Sequence, residues 1–162
     1  MKKYKNWIIA ANLIAIIAYF SFTIIQKENI LKNGKLILLE LSPIDPRSLM
    51  QGDYMQLRYS IADSLDTQEA ALRGYIVVKV NEKSIAKGVR VQQYTTPLNN
   101  DEYLINYTKS NINNLNIGAE SFFFQEGHAQ RYESAKFGGI KVDNKGNSLL
   151  IGLYNEDEKL IK

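Results

Sequence analysis

The sequence predicts a mainly β protein with a minor α-helical share: one N-terminal transmembrane helix, then a compact antiparallel β-sandwich or partly open barrel with one or two short helices. Three observations lead to this prediction. Residues 7–25 contain no charged side chain. The apolar runs that follow are short and rich in Ile, Val and Tyr, which favours strands. Gly, Pro and Asn residues separate these runs, as they do at the turns of an antiparallel sheet.

The uncharged span at residues 7–25 has the length of a membrane-crossing helix. At ~1.5 Å per residue it forms about 28 Å of helix, close to the ~30 Å hydrocarbon core of a bilayer. A cleaved signal peptide has a shorter apolar core, about 7–15 residues, followed by a cleavage site of small residues. This chain shows no convincing site of that kind, and it contains no Cys for lipoprotein processing. We therefore expect a retained anchor.

The charges on either side of the span predict its orientation. Lys2, Lys3 and Lys5 precede it, and the positive-inside tendency places them in the cytoplasm, although lysines that follow the span weaken this bias. The predicted organisation is a cytoplasmic N-terminus at residues 1–6, a transmembrane helix at 7–26, a short linker at 27–34 and an extracytoplasmic β-rich domain at 35–162.

Composition argues against two classes of function. The chain has 20 Lys and Arg against 17 Asp and Glu, so the three N-terminal lysines account for its net charge of +3. A balanced outer domain lacks the basic surplus of a nucleic-acid-binding protein. With one His, His128, and no Cys, the usual ligands of a protein zinc site are missing. We expect no nucleic-acid partner, no metal and no cofactor.

The elements of the outer domain follow from its apolar runs and the turn residues between them. Pro43 and Pro46 cannot donate a ladder hydrogen bond, so they end the first strand. We expect one hairpin between the strands at 74–80 and 85–94, around residues 81–84, and a second between those at 139–143 and 148–154, where Gly146 is free to take the positive φ of the turn. The predicted strands lie at 35–41, 53–61, 74–80, 85–94, 103–107, 139–143 and 148–154. Between them we expect a helical or irregular segment at 62–72, a polar segment at 109–116, and a short helix at 128–136.

Residues 52–59 read GDYMQLRY and match every fixed position of the pattern GDYXXLXY. On this motif the chain resembles the GDYXXLXY family of bacterial membrane-anchored proteins, whose activity is uncharacterised. The preceding segment PIDPRSL at 43–49 and a second signature, IGAESFFFQEG at 117–127, are also similar to the family, although Ser48 and Gln125 depart from its pattern. The resemblance implies a single-pass protein of the bacterial inner (plasma) membrane, in contact with the lipid bilayer and with a polytopic membrane protein partner.

Strand alternation divides the motif into two faces. Met55, Leu57, Tyr59 and Ile61 share an apolar face and are expected in the core, with Asp53 at its entrance. The motif has two interpretations: a corner that fixes how the proline loop meets the sheet, or a site that recognises a partner. The residues of possible interaction are Asp45, Pro46, Arg47, Gly52, Asp53, Tyr54, Leu57, Arg58, Tyr59, Glu120, Phe123, Glu126 and Gly127.

The second signature contributes carboxylates and three consecutive phenylalanines. Glu120 and Glu126 are expected as ion-pair partners for Arg47 and Arg58 if the two signatures meet. Of the residues 122–124, at least one side chain must point away from a one-sided core. An exposed phenylalanine would indicate an interface, but we expect burial on both faces.

Our leading hypothesis is a non-catalytic accessory or scaffold protein that contacts a polytopic membrane protein or an envelope component, because the tether is short and the sequence carries no catalytic constellation, phosphate loop or metal-ligand spacing. The first alternative is a membrane-tethered hydrolase. It would use Ser42 as the nucleophile of a signal-peptidase-like dyad with Lys79 or Lys83, or a carboxylate set of Asp45, Asp53 and Glu120. The second alternative is a small-ligand binding module with a closed cavity lined by Tyr54, Tyr94, Tyr103 and Tyr107.

Overall fold

Nine strands and two α-helices make up the part of the protein that the computed structural model describes, residues 4–42, 54–63, 65, 67, 69–111, 114–125 and 127–162. About 40% of the described residues are in strands or bridges, their sheets are antiparallel and no closed barrel forms among them, which confirms the predicted fold class. The elements are α1 (Lys5–Asn33), β1 (Lys35–Glu40), β2 (Tyr54–Gln56), β3 (Arg73–Val80), β4 (Ala86–Gln92), β5 (Glu102–Asn111), β6 (Asn114–Asn116), β7 (Ser121–Phe123), α2 (Ala129–Tyr132), β8 (Phe137–Val142) and β9 (Ser148–Tyr154).

Helix α1 joins the apolar span to the domain without a break. It is long and apolar enough to cross a membrane, and it continues through residues 27–33, which the sequence analysis predicted as a linker. Ile30 is 4% exposed and packs into the domain. The Lys141 ammonium donates to the Leu31 carbonyl at 2.5 Å, and the Gly34 N–H donates to the Ile30 carbonyl at 2.8 Å. The last turns of α1 are therefore part of the folded domain.

Two larger sheets pack against one shared core. The first has the strand order β1-β8-β9, and the second has the order β4-β3-β5-β6. Ile37 and Ile140 of the first sheet meet Ile76 and Ile105 of the second, and all four side chains are fully buried. A single bridge between Leu38 and residue 85, at the start of β4, connects the two sheets along one edge. The result is a sandwich that is partly joined at one side.

Both predicted hairpins are present. Strands β3 and β4 pair around a turn at residues 81–84, and β8 pairs with β9 around a turn in which Gly146 has φ +84°. The polar segment predicted at 109–116 instead forms the end of β5 and the strand β6, which pair with each other. The sequence carries no sign of this hairpin because the segment is mostly polar; Leu115 is the residue of β6 found in the described core.

The motif strand is shorter than predicted, but its alternation of burial is kept. Among the described residues, β2 covers 54–56 and ends before the predicted limit at 61, and a 3₁₀ turn follows at Ser60–Ala62. Met55, Leu57, Tyr59 and Ile61 are nonetheless all buried, as predicted from a strand at 53–61. The chain stays extended between these elements, since Tyr59 forms an antiparallel bridge with Leu41. The second helix is also shorter than the predicted 128–136, and α2 occupies a single turn.

Two consecutive glycines in β8 make room for two tyrosine rings. A Cβ at Gly138 would lie 2.8 Å from a ring carbon of Tyr59. A Cβ at Gly139, on the opposite face of the strand, would collide with the ring of Tyr154. Aromatic side chains that cover strand glycines restore packing that the glycines lack. Gly138 therefore fixes where the motif tyrosine, Tyr59, lies on the sheet.

We expect Gly138→Ala to destabilise the protein by about 1–3 kcal/mol, because the new methyl group forces Tyr59 or the strand to move in a packed core. The measurement is thermal unfolding of the detergent-solubilised full chain. Thr108→Ala, at an exposed position of β5, is the control and should unfold near the wild-type temperature. Equal unfolding temperatures for Gly138→Ala and the wild type would contradict this account of the glycine.

Candidate functional site

The two signatures meet in space as an antiparallel ribbon. Strand β2 comes from the first signature and β7 from the second, and Tyr54 lies opposite Phe123 in their register. The Leu57 N–H extends the pairing by donating to the Glu120 carbonyl at 2.6 Å. Segments about sixty residues apart in the chain therefore form one structural unit.

Tyr59 fastens this ribbon to the sandwich. Its hydroxyl donates to the Ala119 carbonyl at 2.6 Å, and the residue is 5% exposed. Burial raises the pKa of the Tyr59 phenol far above its ordinary value of 10, and the negative charge of Glu120 raises it further. The hydroxyl therefore remains a hydrogen-bond donor at every physiological pH. The last residue of the GDYXXLXY motif has a clear architectural role.

The three phenylalanines divide between the core side and the surface. Phe122 and Phe124 lie on one face and pack on Tyr132, with ring centroids 4.9 Å and 5.5 Å away. Phe123 points the other way and is 73% exposed. Our expectation of burial on both faces is wrong for Phe123. In the described residues the ribbon has two strands, and it packs through its Phe122 face.

Phe123 lies next to a second exposed ring. Tyr54, its partner in the register, is 43% exposed, and the two ring centroids are 5.8 Å apart. Together they form an exposed aromatic pair on the outer face of the ribbon. Tyr and Phe are enriched in the centres of protein interfaces. The pair thus has the chemistry of a contact surface.

Arg58 of the first signature forms an ion pair with an acidic residue that the sequence did not predict as its partner, Asp63. Arg58 Nη2 lies 2.7 Å from Asp63 Oδ1, and the Ser42 hydroxyl donates to Asp63 Oδ2 at 3.1 Å. The Glu120 carboxylate accepts a hydrogen bond from the Ile117 N–H. The expected pair of Arg58 with Glu120 is wrong, because the 3₁₀ turn at Ser60–Ala62 brings Asp63 back beside Arg58.

Several predicted site residues lie outside the described residues. They are Asp45, Pro46, Arg47, Gly52, Asp53 and Glu126. Of the remaining ones, Leu57 is a core residue and Gly127 has φ +81°, a conformation that favours glycine. The described residues that the structure brings together are Tyr54, Tyr59, Glu120 and Phe123, all at the ribbon.

The lysines considered for a catalytic dyad are both engaged by carboxylates. Lys79 lies 2.9 Å from Asp101, and this hydrogen bond, with the charge of Asp101, raises the lysine pKa. Lys83 lies 3.0 Å from Glu158. A general base must lose its proton near neutral pH, and a lysine does so when it is buried away from carboxylates. Neither side chain has that environment.

The four tyrosines proposed to line a closed cavity are spread over the domain. Tyr54 and Tyr94 are exposed, and Tyr107 is buried, with its hydroxyl donating to the Ala71 carbonyl at 3.2 Å. Tyr107 also lines an open cleft of about 340 Å³ with residues 69–71 and 91–93. Among the described residues no group of three His, Cys, Asp or Glu side chains could hold a metal ion.

Sequence reasoning missed a buried ion pair beside β5. The Glu102 side chain is 1% exposed, and both of its oxygens accept from the Arg90 guanidinium at 2.9 Å. Asn99 donates its backbone and side-chain N–H groups to the same carboxylate. Together these hydrogen bonds hold the pKa of the Glu102 carboxyl at about 2, and the bond from Arg90 has the largest effect. No spacing in the sequence indicates this ion pair, because Arg90 and Glu102 come together only when β4 and β5 pair with β3.

The fold and the ribbon define a class of protein: a mainly β domain carried by one N-terminal helix long and apolar enough to cross a membrane. The GDYXXLXY protein family model matches residues 16–153 of this chain. The chain therefore belongs to the GDYXXLXY family, as its two signatures predicted. Comparisons with curated proteins and with solved structures find no match.

We expect Tyr59→Phe to destabilise the domain by about 1–3 kcal/mol, because it leaves the buried Ala119 carbonyl without its donor. The measurement is the chemical-denaturation midpoint of the full chain in detergent. Tyr54→Phe removes the same hydroxyl from an exposed ring and serves as the matched control. A midpoint shift no larger for Tyr59→Phe than for Tyr54→Phe would show that this hydrogen bond contributes little.

The Glu102 carboxylate should make stability depend on pH in acid. Its folded pKa of about 2 lies below its ordinary value of 4.5, so its contribution is complete above pH 4.5 and is lost as the pH falls toward 2. The unfolding temperature of the wild type should therefore drop more steeply across this window than that of Glu102→Gln. Asp157→Asn, at an exposed carboxylate, is the control. Parallel curves for the wild type and Glu102→Gln would contradict this assignment.

Proposed function

We propose that this protein is a membrane-anchored, extracytoplasmic accessory subunit that binds a polytopic membrane protein through the exposed pair Tyr54 and Phe123. The observation that carries the proposal is the position of this pair. It lies on the ribbon that the two family signatures build together, and both rings face solvent. Signatures that served packing alone would have no need of exposed aromatic side chains on that face.

The continuity of α1 supports a retained anchor. The helix runs unbroken from Lys5 to Asn33, and Ile30 in its last turns is buried in the domain. A signal sequence ends instead in a segment of small residues before its cleavage site. The lysines before the span favour a cytoplasmic N-terminus, and this supports a β-rich domain on the outer side of the bacterial inner membrane.

The rigid connection of helix and domain also favours a partner in the same membrane. A domain without a flexible linker stays within a short distance of the bilayer and keeps a defined orientation to it. Confinement of both partners to one membrane raises their effective concentration, so a small contact surface is sufficient. An aromatic pair at the centre of such a contact is the usual source of its binding energy.

A hydrolase receives less support from the contacts. The Ser42 hydroxyl donates to Asp63, whose other oxygen is paired with Arg58. Both oxygens of this carboxylate are therefore already engaged by Arg58 and Ser42. The engaged lysines Lys79 and Lys83 offer no alternative base. The ion pair between Arg58 and Asp63 therefore favours a role in holding Ser42 beside the motif.

Replacing both ring residues, as Tyr54→Ser with Phe123→Ser, should abolish co-purification of membrane partners with the full chain in mild detergent. The measurement is mass spectrometry of the proteins recovered with a C-terminal tag. Tyr94→Ser is the matched control, because Tyr94 is 69% exposed outside the ribbon. We expect it to retain the same partners as the wild type.

Two outcomes would overturn the proposal. One is recovery of the wild type alone, or with the same partners as the double variant. The other is a mature chain that lacks residues 7–25 or that is found in the soluble cell fraction. Unfolding temperatures equal to the wild type would show that the double variant is folded, since both rings are on the surface.

A further inference from the structure

A polar cleft lies where α1 enters the domain. One wall is the turn of α1 at residues 26–30, and the other is the β8–β9 turn at residues 143–147. The cleft has a volume of about 360 Å³, enough for a phosphate group with its substituents. Its polar lining includes Lys27, Asn29, Asp143, Asn144, Lys145 and Asn147.

The depth of the cleft follows from the length of the apolar span. Charge-free residues end at Ile25, and the helical wall of the cleft begins at the next residue. Residues 26–30 cover about 6 Å along the helix axis. The headgroup layer on each side of a ~30 Å hydrocarbon core is about 5–8 Å thick. When α1 spans the bilayer, the cleft therefore lies at the level of the lipid headgroups.

The charge of the cleft favours an anion. Neither Lys27 nor Lys145 forms an ion pair with any residue that the structure describes, whereas Lys32 nearby is paired with Glu28 at 2.7 Å. The cleft also contains Asp143, but its carboxylate accepts three hydrogen bonds from the turn itself. The Asp143 carboxylate is therefore engaged within its own turn, and the ammonium groups of Lys27 and Lys145 remain to bind a ligand.

The hairpin wall is held in place before any ligand binds. The Asn106 N–H in the middle of β5 donates to the Gly146 carbonyl at 2.8 Å, and the Asn106 side chain donates to Asn147 Oδ1 at 3.0 Å. The helical wall is fixed by buried Ile30. Because both walls are already ordered, ligand binding loses less free energy to the ordering of the site's own groups.

We propose that this cleft binds the phosphodiester headgroup of an anionic phospholipid from the leaflet next to the domain, with Lys27 and Lys145 as the two recognising cations. The inference rests on the retained anchor proposed above, because only an inserted α1 brings the cleft to the headgroups. Bound lipid would join α1 to the β8–β9 hairpin and so fix the orientation of the domain on the membrane.

The test is thermal unfolding of the full chain in nanodiscs of phosphatidylcholine, with and without phosphatidylglycerol. A ligand that binds the folded state alone raises the unfolding temperature, and we expect a rise of about 2–4 °C with phosphatidylglycerol. The variant Lys27→Gln with Lys145→Gln should lose this rise. The charge-matched control is Lys136→Gln with Lys159→Gln, two lysines at the opposite end of the β8–β9 hairpin, and it should keep the rise.

A third arm separates the lipid from free phosphate: inorganic phosphate added to phosphatidylcholine nanodiscs at matched ionic strength. The same rise in this arm would overturn the lipid assignment. An equal rise in both double variants would show a general effect of surface charge, and no rise in the wild type would show that the cleft is empty of lipid. A chain that does not stay in nanodiscs would instead refute the retained anchor.

Discussion

The hydrogen bond from the Tyr59 hydroxyl to the Ala119 carbonyl is the interaction on which the rest of the domain depends. It joins the first signature to the second across the interior, at a place where water cannot replace either partner. The ring that carries this hydroxyl lies over Gly138, a position in β8 that has no room for a Cβ. The ribbon β2–β7, the sheet β1-β8-β9 and the core are therefore all connected at Tyr59.

This fixed point explains why the GDYXXLXY motif alternates as it does. Its apolar positions, Leu57 and Tyr59, are turned into the core, while Tyr54 is turned outward. The same alternation operates in the second signature, where Phe122 packs inward and Phe123 faces solvent. One face of each signature therefore packs in the core, and the other face lies on the surface. The motif can fix a corner of the fold and also present a contact surface, so its two interpretations are compatible.

A second constraint is the way α1 enters the domain. Because Ile30 is buried and Lys141 donates to the Leu31 carbonyl, the helix axis has a defined direction relative to the sheets. Insertion of α1 in a membrane would then fix the direction of the ribbon as well. The proposed partner contact at Tyr54 and Phe123 and the proposed lipid contact at Lys27 and Lys145 both rely on this rigid connection. In these two proposals, the aromatic pair selects a protein and the cleft orients the domain for it.

The sequence by itself determined the apolar N-terminal span, the antiparallel β class, both predicted hairpins and the inward face of the motif, because hydrophobic periodicity and turn chemistry are local properties of the chain. It did not reveal the strand β6, whose polar residues carry little periodic signal. The folded structure decided which groups meet: Asp63 with Arg58, Glu102 with Arg90, and Tyr54 with Phe123. These contacts depend on strand register and on turns that reverse the chain, and no spacing in the sequence encodes them.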